Sequence, residues 1–343
     1  MSTVHMLTTA DATIAQYSRR DFERLSGATH CDIFREHSLV DSPDLADIIL
    51  FVGSTYLDQR DVRAHPFLRR YRQKCFLFHS DDYIIPFLPG VYVNIPKRWY
   101  SPHRTVTGFY LQQFNDFSFN LIRFVPSFVD CDYLFCFVGS THTHSIRSRL
   151  MSLRHPRAYL EDTSATVLPE QKKQPFFTLD YSHDDRRHYG DIITRSKFVL
   201  CPRGYACSSW RLFETMKAGR VPVIISDQWV PPVGPAWESF SIRVSQNRVA
   251  QIPETLERYE SKAATMGHLA RKAWEEWFSQ ETGFHRIVEW CLHLKQYGHG
   301  HVISNLVPYI QLLRPFFVRH VLLPEIKKET LRRLVSLRQV LPG

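Results

Sequence analysis

The stretch Lys197-Phe198-Val199-Leu200-Cys201-Pro202-Arg203-Gly204-Tyr205-Ala206-Cys207-Ser208-Ser209-Trp210-Arg211-Leu212-Phe213-Glu214-Thr215-Met216-Lys217-Ala218-Gly219-Arg220-Val221-Pro222-Val223-Ile224-Ile225-Ser226-Asp227-Gln228-Trp229 decides the architecture. Lys197–Cys201 is a short apolar run of strand length, Pro202–Cys207 is a turn, and Ser208–Ala218 has helical spacing, with Trp210, Phe213 and Met216 on its apolar side. Val221–Ile225 is a second apolar run. Two strands joined through a helix make a right-handed parallel βαβ unit. Ser208 or Ser209 suits the N-cap, and Gly219 falls where a helix ends on a left-handed residue. Ser226–Trp229 then forms a loop at the carboxyl edge of the sheet, the edge on which open α/β folds bind ligands.

The same alternation extends towards the N-terminus. Ala46–Val52 reads as a strand closed by Gly53-Ser54-Thr55, Leu68–Arg72 as part of a helix, and Cys75–His79 as the next strand. Gly90–Ile95 follows the turn around Pro86 and Pro89, and Tyr133–Val138 is a strand ending in Gly139-Ser140-Thr141 before a basic helix near Ile146–Leu153. Phe-Val-Gly-Ser-Thr occurs at 51–55 and again at 137–141. Such a short match arises by chance among buried strands that end in glycine turns, and it equally marks two similarly built halves meeting near Pro126–Asp132. Ala158–Gln174, polar and containing proline, reads as a loop.

A length of 343 residues suits two domains, and 44% hydrophobic with 22% charged residues supports ordinary cores and excludes disorder. The net charge of +9 favours anionic partners without choosing among phosphates, acidic glycans, nucleic acid and membrane. Seven cysteines, an odd number with no Cys-x-x-Cys pair, sit mostly in apolar runs and read as free thiols of a reducing compartment. With no basic-then-apolar leader at Met1–His5 and no Asn-x-Ser/Thr sequon, the expectation is a cytoplasmic protein. Gln296–Leu313, the longest uncharged stretch, holds two His, two Gln and an Asn, too polar to span a bilayer.

The turn at 201–209 carries the chemistry. Arg203, Gly204 and the hydroxyls of Ser208 and Ser209 precede a helix start, where orphan N–H groups and the positive dipole end favour an anion and a forked guanidinium grips phosphate bidentately. A diphosphate suits it. Glu214, three residues from Arg211, shares its face and offers a carboxylate to a ribose diol; the competing reading makes Arg203 and Glu214 structural ion-pair members.

Cys201-Pro202-Arg203-Gly204, Ser208–Glu214 and Ala218–Trp229 together resemble the signature of the exostosin family, glycosyltransferase family 47. Weaker matches are His65-Pro66, His79 with its acidic neighbours, and Phe137-Val138-Gly139 followed by Arg147-x-x-Leu150, so the resemblance runs over about residues 46–260 and is strongest at 197–229. It implies an α/β protein of GT-B type, with two Rossmann-like domains whose parallel sheets face each other across a cleft. Residues 1–128 would form the acceptor domain, 129–305 the nucleotide-sugar domain, and 306–343 a basic helical tail packing back on the first. It further implies inverting transfer from a nucleotide diphosphate donor, a UDP-sugar, to a hydroxyl of a glycan acceptor, with no essential metal and no cofactor beyond the donor. Arg203, Gly204 and Ser208 or Ser209 would hold the diphosphate, with Gly139 and Arg147 reaching the phosphates from the opposite loop. Glu214 beside Arg211 would take the ribose, and Asp227 the sugar. At His79-Ser80-Asp81-Asp82 the chain departs from the family's His-Asp closely followed by Gly, so His79, Asp81 and Asp82 are all candidates for the base.

Competing motifs are weaker. Asp130-Cys131-Asp132 has the Asp-x-Asp form of metal-dependent transferases but precedes a strand, and His142-x-His144 and His299-x-His301 lack a third ligand at characteristic spacing. No dinucleotide, Walker or nucleophile-elbow motif occurs. The tail from Arg314 carries seven Lys/Arg against two Glu and reads as a helix on the N-terminal domain or as a basic amphipathic patch resting on anionic lipid. The acceptor that the resemblance implies is a glycan or oligosaccharide, for which an anionic or lipid-linked form is open. The alternative to an enzyme is a non-catalytic glycan- or membrane-surface-binding protein of the same fold, while nucleic-acid binding has only the charge behind it.

Overall fold

Every residue of Ile48–Gly53 and Cys75–His79 is buried, the pattern of strands covered on both faces, and such runs build two sheets in the computed structural model. The structure describes residues 1–8, 15–53, 62–114, 121–165, 183–298 and 313. The first sheet contains β1 (Ser2–Thr8), β2 (His37–Leu39), β3 (Ile48–Gly53), β4 (Cys75–His79), β5 (Gly90–Tyr92) and β6 (Thr105–Thr107) in the order β2-β1-β3-β4-β5-β6. The second contains β7 (Tyr133–Val138), β8 (Ala158–Glu161), β9 (Ser196–Pro202), β10 (Val221–Ile225) and β11 (Ile242–Arg243) in the order β11-β10-β9-β7-β8. Every pairing in both is parallel. Two parallel α/β units are thus present, as the resemblance implied.

Around them lie α1 (Ala15–Cys31), α2 (Phe67–Arg70), α3 (Ser145–Leu150), α4 (His183–Thr194), α5 (Trp210–Lys217), α6 (Trp237–Phe240), α7 (Ile252–Tyr259), α8 (Ala263–Trp277) and α9 (Gln280–Gln296). The β9–α5–β10 unit lies where its sequence predicts, with Pro222 accommodated opposite Val199. Ser209 takes the extended N-cap conformation without a side-chain capping bond. Gly219 ends the helix at φ +71°, and a Cβ there would lie 2.5 Å from Phe124, so both backbone and space require glycine. The expected loop at 158–174 is corrected in its first part: Ala158–Glu161 pairs with β7 as an edge strand, half-buried and therefore weakly patterned. The rest of that loop beyond 165, and Ser54-Thr55 of the first Phe-Val-Gly-Ser-Thr copy, lie outside the described residues.

Among the described residues the chain crosses between the sheets twice. At 125–127 the connection is gripped by Arg220, fully buried, whose guanidinium donates to the carbonyls of Thr194, Val125 and Ser127 and stacks on Phe128. After α8 the chain returns, because α9 packs on α1 and on β3 and β5 of the first sheet, although the sequence places it with the second domain. Phe278, at the bend before it, contacts both Phe109 and Phe213, so one apolar core runs through both units. The tail at 306–343 lies outside the described residues apart from Leu313, and no helix among the described residues is long and apolar enough to cross a membrane.

Candidate active site

Parallel strands deliver their following loops to one edge, and the carboxyl edges of the two sheets meet. On the second sheet, β7 ends at Val138 and β9 at Pro202, so Gly139 and the Arg203–Ser209 turn are neighbours. A Cβ on Gly139 would lie 2.6 Å from Arg211 Nη2, and one on Gly204 3.2 Å from Arg147 Nη2, so both glycines make room for guanidinium groups. Arg147, from α3, donates through Nε to the Arg203 carbonyl at 3.0 Å and through Nη1 to the Ser140 carbonyl at 3.1 Å. Arg203 folds over its own turn, donating to the carbonyls of Gly204 and Tyr205, and no carboxylate pairs with it among the described residues. Ser208, 5% exposed, keeps its hydroxyl buried beside the Tyr110 hydroxyl, one position before the Ser209 cap. Two arginines, a buried hydroxyl and a helix start therefore converge, a cradle for negative charge.

Arg211 and Glu214 lie beneath this surface. Arg211 donates to the Val138 carbonyl and stacks on Phe137. Glu214, 7% exposed, accepts from the Tyr189 hydroxyl at 2.5 Å. Burial, joined by the Glu214 charge, lifts the Tyr189 phenol well above its ordinary pKa, which keeps it a donor. Asp227 lies at the rim of a cavity of about 720 Å³, exposed, accepting from the Gln246 backbone at 3.1 Å. Lys97 and Tyr100 of the first unit and Trp229, Arg243 and Arg248 of the second line the same cavity.

The first unit contributes the loop after β4. His79 is fully buried in the strand, packed near Tyr92, and does not reach the cleft. Asp81 closes a local turn by accepting from the Tyr83 backbone. Asp82 is exposed to the solvent of the cleft, yet protein from both units crowds around it. The resulting loss of hydration raises its carboxyl to about 6, against the pull of the Arg147 and Arg203 charges. Of the three base candidates, Asp82 is the one brought opposite the cradle.

Asn94, absent from the sequence-based candidates, links the two sides. Its amide nitrogen donates to the carbonyls of Ser80 and Asp81, and its oxygen accepts from the Tyr110 hydroxyl at 3.0 Å and the Ser208 backbone at 3.3 Å. Its carbonyl also receives the Cys207 thiol. The available signal was a single buried-looking asparagine at the carboxyl end of an apolar run, and its partners on the other side, Cys207 and Ser208, lie more than 100 residues away in the chain.

The competing metal motifs find other partners. Asp132 pairs with Arg195, and His144 accepts the Ile146 backbone N–H as the cap of α3. His299 and His301 lie outside the described residues. All seven cysteines are free, five of them buried.

The family model of the Exostosin GT47 domain matches residues 127–259. The chain is 32% identical over 135 residues to the Exostosin-1 homolog of Caenorhabditis elegans, covering 36% of this chain and 35% of that one. It is 31% identical over 138 residues to a probable glucuronosyltransferase of Oryza sativa subsp. japonica, covering 34% and 33%. The chain thus spans about a third of the length of these relatives. Among solved structures, Anabaena HepE in complex with UDP and glucose aligns with 84% of this chain and 99% of its own, at a TM-score of 0.46 and 11% identity. The signature at 201–229 lies inside the segment that the Exostosin GT47 domain model matches.

Proposed function

We propose that the protein is an inverting glycosyltransferase that moves a sugar from a nucleotide diphosphate donor, a UDP-sugar, to a hydroxyl of a glycan acceptor. The observation that carries this reading is the placement of Arg147, Arg203 and the α5 start on one side of the cleft, opposite Asp82 on the other. The match of residues 127–259 to the Exostosin GT47 domain model supports the reaction class.

In this reading Asp82 accepts the acceptor's hydroxyl proton as its oxygen bonds to the anomeric carbon. The bond from that carbon to the donor's β-phosphate oxygen breaks on the opposite face, and its electron pair leaves with UDP. Arg147, Arg203 and the helix start neutralise the departing diphosphate, so the charge is met without a metal. Glu214 and Arg211 shape the nucleoside side of the pocket, and Asp227 holds the sugar. The proton sits on Asp82 until product release.

UDP added to the purified chain should raise its melting temperature in the presence of EDTA, by about 2.7 kcal/mol of stabilisation at one hundred times Kd. A screen of UDP-sugars for hydrolysis then identifies the donor. Stabilisation that vanishes in EDTA and returns with Mn²⁺ would overturn metal independence. UDP binding without turnover of any donor would leave a glycan-binding protein of the same fold.

A further inference from the structure

His37, His285 and Glu289 come together at the opposite end of the first domain. His37 opens β2 and pairs with Ser2 at the start of β1, so it lies at the amino end of this parallel sheet, away from the edge that carries Asp82. His285 and Glu289 are one turn apart on α9. One nitrogen of each histidine and one oxygen of Glu289 lie within 4.8 Å of one another.

The polar atoms here are poorly served by the protein alone. His37 and His285 are 9% and 5% exposed, and neither nitrogen of His37 nor Nδ1 of His285 has a hydrogen-bond partner among the described residues. Glu289 Oε1 sits 3.1 Å from His37 Nε2 without hydrogen-bond alignment. That separation is close to the edge of a tetrahedral zinc shell, about 3.3 Å for bonds of about 2.0–2.1 Å. Asp32 adds a further buried, unpartnered carboxylate oxygen, and its charge acts on both rings. Phe34 stacks on His285 at 3.9 Å and fixes that ring; the His37 ring, 29° from parallel to it, must turn to close on a shared ion.

We propose that His37, His285 and Glu289 form a binding site for a divalent transition-metal ion of the zinc class, which fastens α9 to the edge of the first sheet. Two imidazoles and one carboxylate select zinc over magnesium or calcium, which prefer oxygen ligands. The site stands apart from the glycosyltransferase reading and does not depend on it.

The test is a zinc titration of the full chain after chelator treatment, by calorimetry and by thermal shift, with Co²⁺ as a spectroscopic probe and Mg²⁺ as a control. One Zn²⁺ should bind per chain with a Kd of about micromolar or tighter. The melting temperature should rise by a few degrees, and the cobalt form should show visible absorption of tetrahedral or five-coordinate type. Glu289→Gln, at a half-exposed position that tolerates change, and His285→Gln should each weaken zinc tenfold or more and remove most of the rise. If His285→Gln does not fold, Glu289→Gln and the cobalt spectrum still decide. Absence of saturable uptake, or one equivalent bound with unchanged affinity in Glu289→Gln, overturns the proposal and leaves a packed pair of imidazoles.

Discussion

At Asp82 a single carboxylate carries both a chemical and a stability consequence. Its pKa, raised by lost hydration to about 6, means that the folded state holds its proton more tightly than the unfolded chain. The stability this gives is complete below the ordinary carboxylate range and is lost as pH rises through about 6. Catalysis runs the other way, since a general base works only when ionised. The pH profile of kcat/KM should therefore rise through about pH 6, and Asp82→Asn should abolish that limb with most of the activity while melting no earlier than wild type at pH 7. An unchanged profile would move the base elsewhere. Arg203→Lys keeps the charge but loses the planar fork, so UDP affinity should fall about tenfold or more by calorimetry, whereas a structural arginine would leave it intact.

At the scale of elements, the second sheet is fastened by a surface cluster. Glu260, at the end of α7, accepts from Arg157 in two bonds of 2.6 and 2.7 Å and from Lys197 at 2.7 Å, joining the approach to β8 with β9. These bonds hold its carboxyl down to about 2. Its contribution is complete above the ordinary carboxylate range and is lost as pH falls through about 2. Glu260→Gln should cost about 1 kcal/mol in chemical denaturation at pH 7, and the difference from wild type should shrink below pH 4. The cluster joins residues about 60 and 100 positions apart, and no local pattern announces it. The elements legible beforehand were those that fill a sheet interior: Lys197–Cys201 and Val221–Ile225 declare themselves because both faces are covered, and the helix between them has one apolar side. Ala158–Glu161 was missed because an edge strand is half-wet and lacks that pattern. Within the site, Arg203 and Gly204 were legible because a turn before a helix has local chemistry. The burial of His79, the Tyr189 bond of Glu214 and the bridging by Asn94 depend on chain segments that only folding brings together.

At the scale of the whole molecule the two sheets are joined by Arg220 and by the apolar bend at Phe278. Replacing Arg220 by Met takes the guanidinium donor away from three part-buried carbonyls, each a loss of about 1 kcal/mol, so Arg220→Met should lower stability by about 3 kcal/mol in urea denaturation. A loss under 1 kcal/mol would show that water reaches the 125–127 connection. The return of α9 to the first sheet has a consequence for biosynthesis. A ribosome delivers the chain from its N-terminus, and domains ordinarily fold as they emerge. Here β1 to β6 are complete by Thr107, but the helix that covers β3 and β5 ends only at Gln296. The domain made first is therefore finished last, with an apolar sheet face awaiting its cover while the second domain is translated, so binding of nascent-chain chaperones should persist until residues 280–296 clear the exit tunnel.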